Sequence, residues 1–456
     1  MSAPAQWHEW REQLAARVSG DPIGDDPQLS RKAALVVVDD LAAMVFGRQH
    51  SEIRDFSEAM TRGDVHGEAT VVAGGRAPRE RAAAANAVAA GWDELDEGYR
   101  PATCHGGLYA LPAAMAESEA TGASLDELLS AVVVGYEVAT AVARAFPAPR
   151  PLVLHPHATL SPIGAAAAVT WLRTRSGGAV LDAVDAAATM SMAGPFRHAT
   201  SGAQVRNVWA GGGAVLGFLA SDAAAAGLRG DAVTLFDIFG TTYGQDVDPG
   251  ELSSDRGSWA IIDGYHKRYA ACQYTHAALE CALEICEGSP LESPGDVVAI
   301  DVDTHPLAMA LDDRAPTTAL GGKFSVPHVV AAVLATGSAD AAVFASGNLT
   351  DPTVAALRER VDLTAYEPLP EPPHDRPASV TVRYVDGTQR RAECLSAVGG
   401  PDRPLGEAEV LEKAGDLTAR HLPDFSRVAA QIVDGEVAGS EPWAAILSAL
   451  VPEAGR

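Results

Sequence analysis

Up to about residue 290 the apolar positions of this chain recur three and four apart, the spacing of amphipathic and buried helices. Residues 30–47 read as a helix apolar nearly all round and ended by Gly47, and 51–62 as a second helix. Thr70 to Ala73 reads as a short extended piece closed by Gly74 and Gly75. Helices are expected over Arg79–Ala90, 108–121, 124–146 and 180–193, with another beginning near Pro162 and one after Gly211 to Gly213. The period then changes. Val298, Ile300 and Val302 alternate with Ala299, Asp301 and Asp303, as in a half-buried strand. Ser325 to Ala335 reads as a helix, Asp351-Pro352 as a helix start and Val361 to Ala365 as a short strand. A hairpin follows, turning at Asp386-Gly387 and returning to Cys394. Helical spacing resumes near Leu405. The pattern predicts a mainly α protein with an α+β part: a large helical domain, an α+β domain at about 290–400 and a helical tail.

A chain of 456 residues, 47% of them hydrophobic, can bury a large core. Its net charge of −26 argues against nucleic acid, and would repel an anionic ligand unless the pocket carries its own positive charge. The five cysteines (Cys104, Cys272, Cys281, Cys286 and Cys394) have no paired C-x-x-C spacing. Neither a disulfide framework nor a zinc site is expected, and a reducing cytoplasm fits. The N-terminal MSAPAQWHEWREQLAARV starts an amphipathic helix and lacks an apolar signal core. The most apolar run, Ala33 to Gly47, contains Asp39 and Asp40 and is shorter than the ~20 residues of a membrane span. It reads as a buried helix, and no membrane is expected.

Candidate chemistry concentrates in a few stretches. In YHKRYAACQYTHAALECALEIC (Tyr265–Cys286), Lys267 and Arg268 stand together in an acidic chain, flanked by His266 and His276. Thr275 is placed to cap a helix bearing Leu279, Leu283 and Cys286 on one face and Glu280 and Glu284 on the wet one. The stretch lies where the hydrophobic period changes, at a domain junction, where ligand sites tend to form. GWDELDEGYRPATCHGG crowds Asp93, Glu94, Asp96, Glu97, Arg100 and His105, and carboxylates near a histidine raise one another's pKa, as acid/base chemistry requires. His155 and His157 flank Pro156 at a helix start; with no third ligand at a supporting spacing, a carboxylate ligand suits that place better than a metal. Arg197, His198 and Arg206 lie in a glycine-rich loop that lacks the Gly-Lys-Ser/Thr ending of a P-loop.

Several stretches, in order and with fitting spacing, resemble the MmgE/PrpD family, which contains 2-methylcitrate dehydratases, cis-aconitate decarboxylases and iminodisuccinate epimerases. RKAALVVVDDLAAMVFG resembles the family's opening helix. NAVAAGWDELDEG is similar to N-G-x-x-A-H-x-x-E-x-D-D, which puts Glu94, Asp96 and Glu97 on its acidic positions. CHGG resembles the H-P-G that follows, and QVRNVWAGGGA resembles K-x-x-x-x-G-x-A-A. HKRYAACQYTHAALE is the closest match, to K-x-Y-x-x-C-x-x-T-H-x-x-x-[DE], and KFSVPHVVAAVLATG and PLGEAEVLEK resemble later segments. Arg206 stands where most members have lysine, Gly91 replaces a histidine and Gly106 a proline. Arginine keeps the charge but rules out proton transfer at that position.

The resemblance implies a helical domain over 1–275, an α+β lid over 276–400, and helices over 401–456 returning to the helical domain. It further implies a homodimer, with no metal and no organic cofactor, acting on a small di- or tricarboxylate. The chemistry would be that of a lyase: α-proton abstraction followed by elimination, with epimerisation or decarboxylation as alternative outcomes. A non-catalytic helical binding protein is the rival from another class. In that picture His105 and His157 are the acid/base residues. Lys267 and Arg206 hold carboxylates, and Glu94 and Asp96 orient a histidine or protonate the leaving group. Tyr269 and Thr159 hydrogen-bond the ligand, with Arg268 beside them. Lys267→Ala is then expected to leave folding intact and to cost about 1.5–3 kcal/mol in ligand or transition-state binding.

Overall fold

A computed structural model describes residues 3–24, 26–63, 67–72, 74–248, 251 and 257–451. It is 56% helix and 9% strand, so the fold class is mainly α with a small α+β part. Helix Pro27–Gly47 runs through the helical part, with Asp26 accepting from the amides of Gln28 and Leu29 at its N-terminus. Its residues Ala33–Val45 are all buried, as the all-round apolar pattern requires. Helices Arg79–Gly91, Gly106–Thr121, Leu125–Ala145, Ser161–Thr174, Gly177–Thr189 and Val208–Ala225 pack around it and one another. Alanine and glycine dominate their contacts because the axes lie close. A Cβ on Gly213 would sit 1.9 Å from Ser161 Oγ. Leu125–Ala145 and Gln204–Ala225 are long and apolar enough to cross a membrane by length and composition alone; the apolar stretch of the first is buried in the protein.

The α+β part is a four-stranded sheet in the order Val361–Ala365, Val297–Thr304, Ala378–Tyr384, Gln389–Cys394. The first pair is parallel and the others antiparallel. Helices His276–Cys286 and Val326–Thr336 cover it, and Ser325 caps the second through the His328 amide. The C-terminal helices Glu407–Thr418 and Phe425–Val433 pack on Pro27–Gly47, and Trp443–Leu450 on Gly106–Thr121 and Leu125–Ala145.

Several local expectations are corrected. Gly211 to Gly213 lie inside helix Val208–Ala225 rather than before it, because a 3-10 turn at Gln204–Asn207 starts the helical path earlier. The helix expected over 180–193 spans Gly177–Thr189, started by Ser176 capping the Ala179 amide. A register shift between Val297 and Ala299 turns Val298 outward, 52% exposed, while Ile300 and Val302 stay buried. Thr275 does not cap with its side chain: its hydroxyl donates to the Cys272 carbonyl instead. Glu280 is not on a wet face, since it accepts from the Val398 amide at 2.7 Å and pairs with Arg403. The extended piece is Ala69–Thr70 paired with Arg76–Ala77; Ala73 lies outside the described residues.

Candidate functional site

A two-residue bridge sets the site. Gly98 and Tyr99 pair antiparallel with Tyr265 and Gly264, which lays the acidic loop between two helices beside the Lys267 stretch. Only glycine fits at 98, where a Cβ would lie 2.7 Å from the Tyr265 ring. Two segments 171 residues apart thereby face each other, and Lys267 Nζ comes within 3.3 Å of Asp96 Oδ1.

Five charged or titratable side chains converge, all buried. Lys267 Nζ is 3.3 Å from Asp96 and 3.7 Å from Glu94. Arg206 Nη1 is 2.5 Å from Glu94 Oε1, and the guanidinium also contacts Asn207, His155 and the Phe324 ring. His105 Nδ1 lies 2.6 Å from Asp96 Oδ2. Burial alone would neutralise such groups, but here each charge has a partner. Burial opposes the charge on Lys267, yet Asp96 and Glu94 outweigh it and hold the ammonium above its ordinary pKa. Asp96 is likewise held well below its ordinary value by Lys267 and His105 despite its burial. An Nδ1–H of His105 donating to ionised Asp96 fixes the ring's tautomer and leaves Nε2 as the free base nitrogen.

His157 packs edge-on to His105, with ring centroids 4.7 Å apart. Its Nδ1 is 2.8 Å from Tyr109 Oη, and its buried Nε2 has no partner. His155 contacts Arg206 Nε through Nε2 and the His157 amide through Nδ1, each at 3.1 Å. A neutral imidazole accepts at one nitrogen only, so one of those contacts is not a hydrogen bond. Burial and Arg206 push both His155 and His157 well below their ordinary pKa, so both rings are neutral at pH 7.

Behind the cluster lie more buried carboxylates. Asp40 accepts from the Glu97 amide at 2.9 Å, and Glu97 accepts from the Gly107 amide and from Tyr136 Oη. Burial and neighbouring carboxylates raise Asp40 well above its ordinary range, and burial with Asp96 beside it pushes Glu97 up to about 8. Glu97 therefore holds a proton at neutral pH, and Asp40 is shifted in the same direction. Because its folded pKa lies above the unfolded one, the Glu97 contribution to stability is complete below about pH 4 and is lost as pH rises through about 8, and Asp40 acts in the same sense. Asp40→Asn is expected to gain more stability relative to wild type at pH 8 than at pH 5. Urea midpoints at the two pH values check this, and an equal difference at both would contradict it. Asp39, one residue away, contacts His266 and Lys413 at 2.7 Å each, which ties the C-terminal helices to this core.

The cavity bounded by Glu94, His105, His155, Arg206, Lys267 and Phe324 measures about 30 Å³, room for one or two waters. On its far side opens a cleft of about 1050 Å³. The same segments wall both, with alternate side chains facing each way. Asp93, Gln204, Arg268 and Lys323 face the cleft, while Glu94, Arg206, Lys267 and Phe324 face the cavity. Asp93 and Lys323 pair at 2.6 Å beside the cleft, and Lys323 with His50 brings Asp93 down to about 2 against its burial.

Of the sequence candidates, the structure brings His105, His157, Lys267, Arg206, Glu94 and Asp96 together. Arg268 and Tyr269 are not with them. Arg268 is exposed in the cleft, because consecutive residues of this extended segment point to opposite sides. Tyr269 Oη donates to Glu280 rather than facing the cavity. Thr159 is buried on the short helix Pro156–Thr159 but does not line the cavity. Gly106 is demanded by packing, since a Cβ there would lie 2.5 Å from the Tyr136 ring; Gly91 is not, its nearest neighbour being 3.5 Å away. Sequence reasoning missed Tyr109, Cys272, Gln273 and Tyr274 around the cluster. Tyr109, one helical turn after His105, carried a usable signal. Among the described residues no group of three or more His, Cys, Asp or Glu is arranged to hold a metal.

The MmgE/PrpD N-terminal domain matches residues 12–243, and the MmgE/PrpD C-terminal domain matches residues 269–436. No curated protein sequence gives a significant match.

Proposed function

The chain belongs to the MmgE/PrpD family, and on that premise we propose that it is a cofactor-independent lyase acting on a small di- or tricarboxylate. The family suggests a dehydratase, lyase or related enzyme. The observation that supports the finer reading is the buried Asp96–His105 pair with Lys267 and Arg206 beside it. An α-proton of a carboxylate is very weakly acidic, so a site must accept the proton and stabilise the charge left behind. His105 Nε2 takes the proton, the C–H electrons flow into the carboxylate as an enolate, and Asp96 stabilises the imidazolium. Lys267 and Arg206 stabilise the enolate. Collapse of the enolate then expels the β-hydroxyl, which leaves as water with the proton that His105 has just taken up. Reprotonation from the other face would instead give epimerisation, and loss of CO₂ with reversed bond order gives decarboxylation.

In the unliganded site both cations are already paired with Glu94 and Asp96. A substrate carboxylate entering on Arg206 therefore displaces Glu94 from that cation. Arg206→Lys is expected to raise KM by about tenfold with a smaller change in kcat, because lysine cannot span Glu94, Asn207 and His155 at once. Full activity with an unchanged KM would contradict this role.

Two further proposals accompany this reading. Metal is not required: exhaustive chelation is expected to leave kcat/KM unchanged, and loss restored by a divalent ion would contradict it. The protein forms a homodimer through helix Val208–Ala225, which exposes Val208, Val215 and Leu219 in one stripe continued by Val205 and Leu228. Sedimentation is expected to give twice the chain mass, and Leu219→Glu a shift toward monomer. A wild-type monomer would refute the dimer.

A further inference from the structure

Two arginines behind one wall of the cavity share a single carboxylate. Arg100 Nη1 is 2.5 Å from Asp375 Oδ1, and Arg376 Nε is 3.6 Å from Asp375 Oδ2. The Arg100 side chain is 7% exposed, and its Nε is buried with no partner. Its guanidinium lies 4.8 Å over the ring of Tyr265, two residues before Lys267. Arg376 comes from the proline-rich loop between strands Val361–Ala365 and Ala378–Tyr384. Its φ of +53° is the left-handed region, unfavourable for any residue with a Cβ, and such strain persists where the surroundings enforce it. In that conformation the guanidinium donates to Gln273 Oε1 and sits 5.2 Å over the Tyr274 ring. Gln273 and Tyr274 line the catalytic cavity.

The charge count and the volume point the same way. Among the described residues Asp375 is the one carboxylate paired with either guanidinium, two cations to one anion in a protein whose net charge is −26. A cavity of about 30 Å³ must enlarge before any dicarboxylate enters. Gln273 is a neutral side chain that a stronger acceptor can displace from Arg376, since a carboxylate makes the stronger hydrogen bond to a guanidinium.

We propose that Arg100 and Arg376 form a second anion subsite, which takes the substrate carboxylate farthest from the reacting carbon once Gln273 swings off Arg376. This rests on the carboxylate reading above and deepens it: the preferred ligand carries an anionic group beyond those held by Lys267 and Arg206. The test uses citrate, with three carboxylates, and succinate, with two, as calorimetric probes of the intact protein. Wild type is expected to bind citrate more tightly than succinate. Arg376→Gln should weaken citrate about tenfold or more and leave succinate within about twofold, while Arg376→Lys, which keeps the charge, should recover part of the loss. Citrate affinity unchanged by Arg376→Gln, equal losses for the two probes, or no binding of either by wild type overturns the subsite. Arg376 handles no proton in the reaction, so deuterium exchange into the true substrate judges the catalytic reading separately. Probe discrimination without exchange would uphold the subsite and overturn the lyase.

Discussion

Replacing Lys267 with alanine is expected to lower the protein's stability by roughly 3–5 kcal/mol and kcat/KM by about 10²-fold or more. Lys267 is 1% exposed and contacts two carboxylates, Asp96 at 3.3 Å and Glu94 at 3.7 Å. Removing it leaves two buried anions with Arg206 as their one full-time countercharge. Breaking a buried pair by deleting one partner costs more than the pair contributes, because the survivor stays out of water uncompensated. The expectation from the sequence, that folding would be untouched, gave Lys267 a ligand carboxylate as its partner; its burial against Asp96 and Glu94 argues for a stability cost as well. A fall in the urea midpoint together with lost turnover checks the account, and Lys267→Arg should recover stability more fully than activity. An alanine variant as stable as wild type would contradict the burial argument.

The helical pattern could be read from the sequence because alanine and leucine at three- and four-residue spacing have one way to bury themselves. Helices Pro27–Gly47, Leu125–Ala145 and Val326–Thr336 lie within a few residues of their expected bounds. What failed locally was competition at ends and turns. The Thr275 hydroxyl found a nearer carbonyl than the helix amides, and the bulge at Val297/Ala299 moved Val298 off its face. The six residues that meet at the site were individually legible as motif positions. Their pairing was not, since no local rule says that Gly98 and Tyr265 bridge two segments so far apart in sequence. Arg268 lies away from the site for a related reason: adjacency to Lys267 along an extended chain carries a side chain to the opposite side, while Tyr269, two residues on, is drawn off by its hydroxyl's bond to Glu280. The unfilled Nε2 of His157 and the bare Nε of Arg100 emerge only from three-dimensional packing.

The second large effect concerns the base. His105 is paired with Asp96 through Nδ1, and His157 keeps Nε2 unpartnered 4.7 Å away, centroid to centroid. His105→Ala removes the proton acceptor and leaves Asp96 to Lys267 alone, so the chemical step is expected to slow by about 10²–10⁴-fold. His157→Ala removes the second ring and is expected to slow it by about 10²-fold or more. Asp96→Asn keeps the shape but loses the charge that favours imidazolium, and should depress kcat more than it raises KM. The most direct measurement is deuterium exchange. The enzyme is incubated in deuterated water with the carboxylate it turns over, and the α-carbon is followed by NMR. Wild type is expected to incorporate deuterium into substrate or product, with the rate falling at least about 10²-fold in both His105→Ala and His157→Ala. Exchange at the wild-type rate in both variants would contradict a histidine base and pass the role to a carboxylate, Glu94 or Asp96.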